Sequence, residues 1–359
     1  MKQPVIILGA GLTGLTTAWL LKKQGIKALI LEARDHIGGR IETIEGANHT
    51  PIEMGATWFG AKHQFLVKLL RDLHLEAFPQ FQQGKGLFES MSFTPAQEFE
   101  MPQGEDPSYR IAGGTATIIQ KLRAYLDADQ IITKAKVHTV VLQSEGLQVF
   151  TETTQYLAEQ VISTLPPKLL SNTVKFSPEL PKTIADLCAN THTWMGESIK
   201  FAVAYQTPFW REKGFSGAIF SQVGIANEVH DHTNYEQSAF ALKGFLSGGS
   251  SQMTKAQREA EVLNQFERLF GKVAREHIGY YEKVWAQEPF TTHRVNQYLL
   301  PHQNNGHPAF QNTLLNDRFV IGGTETSPVF GGYMDGAVHS AYLMAERLVE
   351  KMKGEAKAK

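Results

Sequence analysis

Val5-Ile6-Ile7-Leu8-Gly9-Ala10-Gly11-Leu12-Thr13-Gly14, close to the start of the 359-residue chain, is the stretch that decides the fold. Four apolar residues, three of them β-branched, read as a strand buried on both faces. They run straight into G-x-G-x-x-G. Gly9 permits the tight strand-to-helix turn, Gly11 lets the backbone approach a pyrophosphate, and Gly14 lets the helix pack on the sheet. The helix is predicted from about Leu12 through Thr13 and Gly14 to Lys23, with Gly25 as its stop. Its free N–H groups and positive dipole end face the phosphate. A second strand, Ala28-Leu29-Ile30-Leu31, ends at Glu32, 21 residues beyond Gly11. A carboxylate there accepts hydrogen bonds from both ribose hydroxyls of an adenosine. Glycines alone are weak evidence, but strand, glycines, helix, strand and acid in this order predict a dinucleotide site. The alternative is a structural βαβ turn whose glycine loop binds nothing.

Composition narrows the classes of function. Hydrophobic residues make up 42% and charged residues 20%, enough apolar material for a sizeable core and against general disorder. Thirty-five basic and 36 acidic residues give a net charge of −1, so no polyanionic or membrane-surface partner is expected. The single cysteine, Cys188, closes no intrachain disulfide and cannot supply a thiolate metal cluster. His230 and His232 are a close pair without a third ligand, so no metal site is expected. Val5 to Leu21 carries no charge, which also fits a signal sequence or short span. Its glycines and threonines, and the lack of a small-residue cleavage pattern, favour the βαβ reading. With no apolar tail after the last predicted helix, which ends near Lys351 before a charged segment expected to fray, no membrane anchor and a cytoplasmic location are expected.

Beyond Glu32, the run Glu32-Ala33-Arg34-Asp35-His36-Ile37-Gly38-Gly39-Arg40 resembles the second fingerprint of the flavin-dependent amine oxidase family, which implies FAD. Gly38 and Gly39 would let backbone amides approach the cofactor, and Arg40 would balance pyrophosphate charge; Arg34 also fits a surface residue. The likeness continues along most of the chain. Ile52-Glu53-Met54-Gly55-Ala56-Thr57-Trp58 is similar to the segment that passes along the flavin. Arg110-Ile111-Ala112-Gly113-Gly114-Thr115 resembles an R-x-x-GG element, followed by a helix from about Ala116 to Leu126. Ile131 to Val141 reads as one strand, and the resemblance implies that the Val137 backbone meets the adenine. Gln160 to Pro167, with Thr164, resembles the strand that leaves the FAD domain. Met195-Gly196-Glu197-Ser198-Ile199-Lys200, then Pro208-Phe209-Trp210-Arg211, resembles the monoamine oxidase stretch that presents a lysine to the flavin. Trp285 with Glu288-Pro289-Phe290 is similar to a segment whose indole lies beside the isoalloxazine. Phe319-Val320-Ile321-Gly322-Gly323-Thr324-Glu325-Thr326 and Gly331-Gly332-Tyr333-Met334-Asp335-Gly336-Ala337 resemble the C-terminal flavin signature.

The resemblance implies an FAD oxidase that takes a hydride from the carbon next to an amine, gives an imine and then a carbonyl product, and reduces O2 to H2O2. Lys200 would hold a water near flavin N5, Tyr333 would form one aromatic wall beside the amine, and Trp285 would flank the ring. The sequence departs from the family in three places. Phe290 to Gln297 contains no cysteine for a flavin thioether, so non-covalent FAD is expected. Arg294 and Val295 stand where a second aromatic wall belongs, with Phe290 and Tyr298 the nearest rings; Arg294 either meets a substrate carboxylate or faces solvent. The insert between Trp58 and Gly113 is short, which implies a more open pocket.

The expected architecture is α/β: a Rossmann-like FAD domain (1–61, 109–191, 285–359) interleaved with an α+β substrate domain (62–108, 192–284) containing a mixed or antiparallel sheet. In the latter, Thr254 to Gly271 reads as a helix with a Thr254–Gln257 capping box, preceded by a flexible-looking Ser247-Gly248-Gly249-Ser250-Ser251 connection. The expected partners are a small amine or amino-acid-like substrate and O2. Two alternatives stay open: a desaturase or porphyrinogen-type oxidase of a larger molecule, and a flavin-binding protein without catalysis.

Overall fold

The βαβ unit forms as its residues dictate. In a computed structural model describing residues 2–102, 107–292 and 299–357, strand Lys2–Leu8 leads into helix Leu12–Lys22, and strand Ala28–Leu31 follows. The two strands pair in parallel, with Ile6 opposite Leu29. Val5, Ile7, Ala28 and Ile30 face a core shared with four helices, while Ile6, Leu8, Leu29 and Leu31 face a second core. Burial on both sides explains the unbroken apolar run. Each such side chain contributes about 1.5–3 kcal/mol when fully buried.

The first sheet runs in the order Lys175–Ser177, Val137–Gln143, Gly146–Thr151, Gln155–Ser163, Lys2–Leu8, Ala28–Leu31, Ile131–Ile132, with Phe319–Ile321 also parallel to Gln155–Ser163. Helices Leu12–Lys22, Ala116–Tyr125 and Met334–Lys357 cover one face. The last helix thus continues beyond Lys351 through the segment expected to fray. The single strand expected over Ile131 to Val141 is two strands. Lys134 turns the chain with φ of 56°, and the Lys134 and Ala135 N–H groups donate to the Arg34 and Glu32 carbonyls. That detour wraps residues 134–135 around the end of the second strand.

The second sheet runs His277–Val284, Ile199–Tyr205, Phe240–Leu246, Ala226–Asp231, Phe215–Ser221, Lys85–Glu89, Gln97–Glu100 and is largely antiparallel. One face packs against helix Lys255–Phe270 through Phe201, Val262, Phe266 and Phe270. That helix starts at the capping box of Thr254 and Gln257 and stops at Gly271, whose φ is 85°. The preceding glycine–serine connection is a 3-10 turn, Gly248–Gln252, not an extended linker. Helix Gln64–Asp72, read in sequence with the substrate domain, buries Leu66, Leu69 and Leu70 against the helices of the first sheet. Its strongly one-sided apolar face finds that core. Among the described residues no helix is long and apolar enough to cross a membrane.

Candidate active site

Strand Ile199–Tyr205 lies against the strand pair Thr43–Glu45 and Pro51–Glu53, and alternation decides what reaches the contact. Ile199, Phe201, Val203 and Tyr205 point into the helix-packed core, so Lys200, Ala202 and Ala204 point toward that strand pair. All seven residues are buried. Lys200 therefore enters this contact as a buried amine, 4% exposed, rather than solvent-facing as a lysine at alternate strand spacing ordinarily is. Its Nζ donates to the Gly55 carbonyl and lies 4.9 Å from the Phe245 ring centroid. Burial lowers its pKa from the ordinary lysine value to about 8, against the opposing pull of Glu53.

A continuous cavity of about 1020 Å³ joins the glycine loops to this lysine. Its first end is made by Gly9, Gly11, Leu12, Thr13, Glu32, Ala33, Arg34, Gly38 and Gly39, with Val137 and Thr164 beside them. The two glycine loops lie on one another: Gly38 N–H donates to the Ala10 carbonyl, and a Cβ on Gly39 would fall 3.2 Å from the Gly11 Cα. Gly39 has φ of 61°, so no side chain is easily tolerated there. Glu32 accepts the Ala10 N–H at 2.7 Å and the Arg34 N–H at 2.9 Å, one on each carboxylate oxygen. Each oxygen keeps a lone pair for a ribose hydroxyl. Arg34 is buried rather than on the surface, donating to Thr291 Oγ1 at 2.8 Å.

The far end is lined by Arg40, Gly55, Ala56, Thr57, Trp58, Lys200, Glu228, Trp285, Thr324, Gly332, Tyr333, Met334 and Ala337. Trp285 is held by its indole N–H, which donates to the Met54 carbonyl at 2.8 Å. Gly332 (φ 91°) turns the chain into the last helix, where a Cβ would strike Trp194.

Three residues expected to contact the cofactor do not line the cavity. Gly14 packs the first helix on the sheet, since a Cβ there would meet the Gly9 carbonyl at 2.0 Å. Gly323, with φ of 114°, shapes the turn before Thr324. Glu325 is fully buried and grips Arg40 at 2.5 and 2.9 Å, and Arg40 also donates to the Trp194 carbonyl. The Arg40 charge, expected to balance pyrophosphate, is thus already matched by Glu325.

Two groups were not legible in the sequence. Trp194 lines the cavity and belongs to a ring stack: it lies 3.9 Å from His302, which lies 5.4 Å from Tyr333. Glu228 faces the cavity beside Phe245, bonded to His230 at 2.9 Å. Neither sits in a spaced motif. Arg294, Val295 and Tyr298 lie outside the described residues, whereas Phe290 lines the cavity. His232 shares its ring nitrogens with Arg110 and the Pro51 carbonyl, and among the described residues no group of three potential ligands forms a metal site.

A mixed sheet with a parallel centre buried on both faces, paired glycine loops and a channel ending at a buried lysine define a dinucleotide-dependent oxidoreductase. The family profile of flavin containing amine oxidoreductases matches residues 12–89 and 84–349, and the chain belongs to that family. It is therefore a flavin-dependent enzyme that oxidises amines. It is 23% identical to a probable flavin-containing monoamine oxidase A of Dictyostelium discoideum, over 97% of this chain and 98% of the relative. It is 22% identical to a putrescine oxidase of Kocuria rosea, over 81% and 84%. The solved cyclohexylamine oxidase of Brevibacterium oxydans shares the fold with a TM-score of 0.85 at 20% identity, covering 98% of this chain and all of that one.

Proposed function

We propose that the chain holds FAD without a covalent bond and oxidises a small amine, with O2 as acceptor and H2O2 and a carbonyl compound as products. The observation that carries this reading is the single cavity running from the paired glycine loops to Lys200. Its donor set fits an adenine dinucleotide: glycine N–H groups at a helix start, the Glu32 carboxylate, and a second helix start at Met334 facing the other end. A flavin held there would supply acceptance of a hydride equivalent from the carbon beside the amine and transfer of the electrons to O2.

The chain's own residues supply orientation and field. Trp194 and Tyr333 wall the far end of the cavity, and Glu228 gives it a carboxylate that draws a cationic amine inward. Lys200, able to exchange a proton near pH 8, holds that proton at the cavity wall where reduced oxygen needs one. Non-covalent binding is supported by the position of Cys188. It lies in helix Lys182–Ala189, away from the cavity lining, and burial pushes its thiol up to about 12. The test is an anaerobic panel of monoamines, diamines and amino acids mixed with the purified yellow protein, followed by H2O2 release in air. Bleaching by amines with H2O2 on reoxidation is expected. Bleaching by none of them, with dithionite still reducing the flavin, would remove the proposal.

A further inference from the structure

Lys243 is a second lysine on the sheet face that looks toward the strand pair Thr43–Glu45 and Pro51–Glu53, and the chemistry above does not use it. Lys200 pairs with Phe245 and Ala202 with Lys243, so the two lysines stand on one face as diagonal neighbours across adjacent strands. Lys243 has no exposure and lies behind Lys200, off the cavity lining. Both amines reach one hydroxyl. Lys243 Nζ donates to Thr57 Oγ1, and Lys200 Nζ lies 3.4 Å from the same atom. Thr57 spends its own proton on the Gly55 carbonyl at 3.2 Å, which leaves both hydroxyl lone pairs for the lysines.

The surrounding charges do not compensate two ammonium groups. Glu53 approaches from strand Pro51–Glu53, but its carboxylate already accepts the Thr115 N–H at 2.5 Å and the Thr43 hydroxyl at 3.0 Å. Arg110 adds a further positive charge from strand Tyr109–Ile111, while Lys283, beyond Lys200, is itself paired with Glu42 and Glu288. Glu228, His230 and His232 face the pair from strand Ala226–Asp231 and the residue after it, with Glu228 bonded to His230. Two charges this close repel steeply where water is excluded. Burial and the Lys200 charge hold the Lys243 proton affinity well below that of an ordinary lysine.

We propose that Lys243 is a positioning residue that shares one proton with Lys200 across Thr57 and thereby sets the charge of the cavity-lining amine. The proton moves between two nitrogens, and no oxidant or further reactant is involved. The inference rests on the reading of Lys200 as the group serving flavin oxidation and adds the residue that controls it.

The test is carbon NMR of the flavin-loaded protein labelled with 13C at the lysine ε-carbons, titrated with pH. Lys200→Met is expected to raise the Lys243 midpoint by about one pH unit or more, a roughly tenfold gain in proton affinity, because the neighbouring charge is gone. Lys243→Met, which removes an amine that is neutral while Lys200 titrates, is expected to lower the Lys200 midpoint. Lys243→Arg, which keeps a permanent charge, lowers the Lys200 midpoint further, an order that a merely structural role does not produce. If Lys243→Met fails to fold, Lys243→Gln takes its place. Midpoints unchanged in the single variants overturn the proposal. The pH profile of reoxidation after photoreduction separates the two readings: reciprocal NMR shifts with a flat profile would leave the shared proton standing and refute the oxidative role of Lys200.

Discussion

Arg40 and Glu325 tie the second glycine loop to the C-terminal signature, and a double-mutant cycle measures what that tie is worth. The Glu325 side chain is 1% exposed and that of Arg40 24%, joined by two parallel bonds. Arg40→Met strands a carboxylate where water does not reach, a loss of about 3–5 kcal/mol. Arg40→Met with Glu325→Gln removes both charges, and the penalty for the lone carboxylate disappears with them. At about 2–4 °C per kcal/mol, the single variant melts roughly 6–20 °C below the parent, and the double variant recovers about half of that. The assay is thermal unfolding of the four proteins of the cycle, followed by flavin fluorescence and by circular dichroism. The decisive corner is the double variant. If it melts lower than Arg40→Met by the full cost of Glu325→Gln, the two residues are uncoupled and the Arg40 charge is spent elsewhere, on the cofactor's phosphates.

Lys200→Met slows flavin reoxidation far more than amine-driven reduction; equal slowing of both in stopped flow contradicts the assignment. The same substitution stabilises the fold. A lysine whose folded pKa is lowered to about 8 costs stability below that pH, and the penalty is relieved as pH rises from about 8 toward 10.5. Lys200→Met is therefore more stable than the parent at pH 7, by at most about 3 kcal/mol, and the gap closes above pH 10; a variant that melts lower than the parent at pH 7 and equally above pH 10 reverses the sign. Thr254→Ala removes the capping box of helix Lys255–Phe270 and costs about 1 kcal/mol, with the flavin spectrum unchanged. Acid precipitation releases all the yellow colour into the supernatant, and colour retained in the pellet points to a covalent bond.

What could be read along the chain is what the chain encodes locally. The glycines of the first loop, the strand ending at Glu32 and the cap at Thr254 each depend on a few consecutive residues, and each stands where those residues put it. The break at Lys134 escaped because both flanks are apolar and β-branched; the detour follows from hydrogen bonds to carbonyls about 100 residues earlier. Helix Gln64–Asp72 shows its apolar face in sequence, but not which of two cores receives it. Lys243 and Glu53 become neighbours of Lys200 only through strand register and domain contact, which no spacing records. Arg40 illustrates the converse: its motif pointed to a phosphate, and its partner turned out to be an acid 285 positions away.

On the proposed reading, the cavity between Gly11 and Lys200 carries out amine oxidation with a bound flavin. Anaerobic stopped-flow mixing of the purified protein with a panel of amines, read at the flavin absorbance, tests it most directly. Rapid loss of the flavin colour with at least one amine, restored by O2 with H2O2 formed in equal amount to the flavin oxidised, is the predicted result. A flavin that dithionite reduces and no amine bleaches would contradict it.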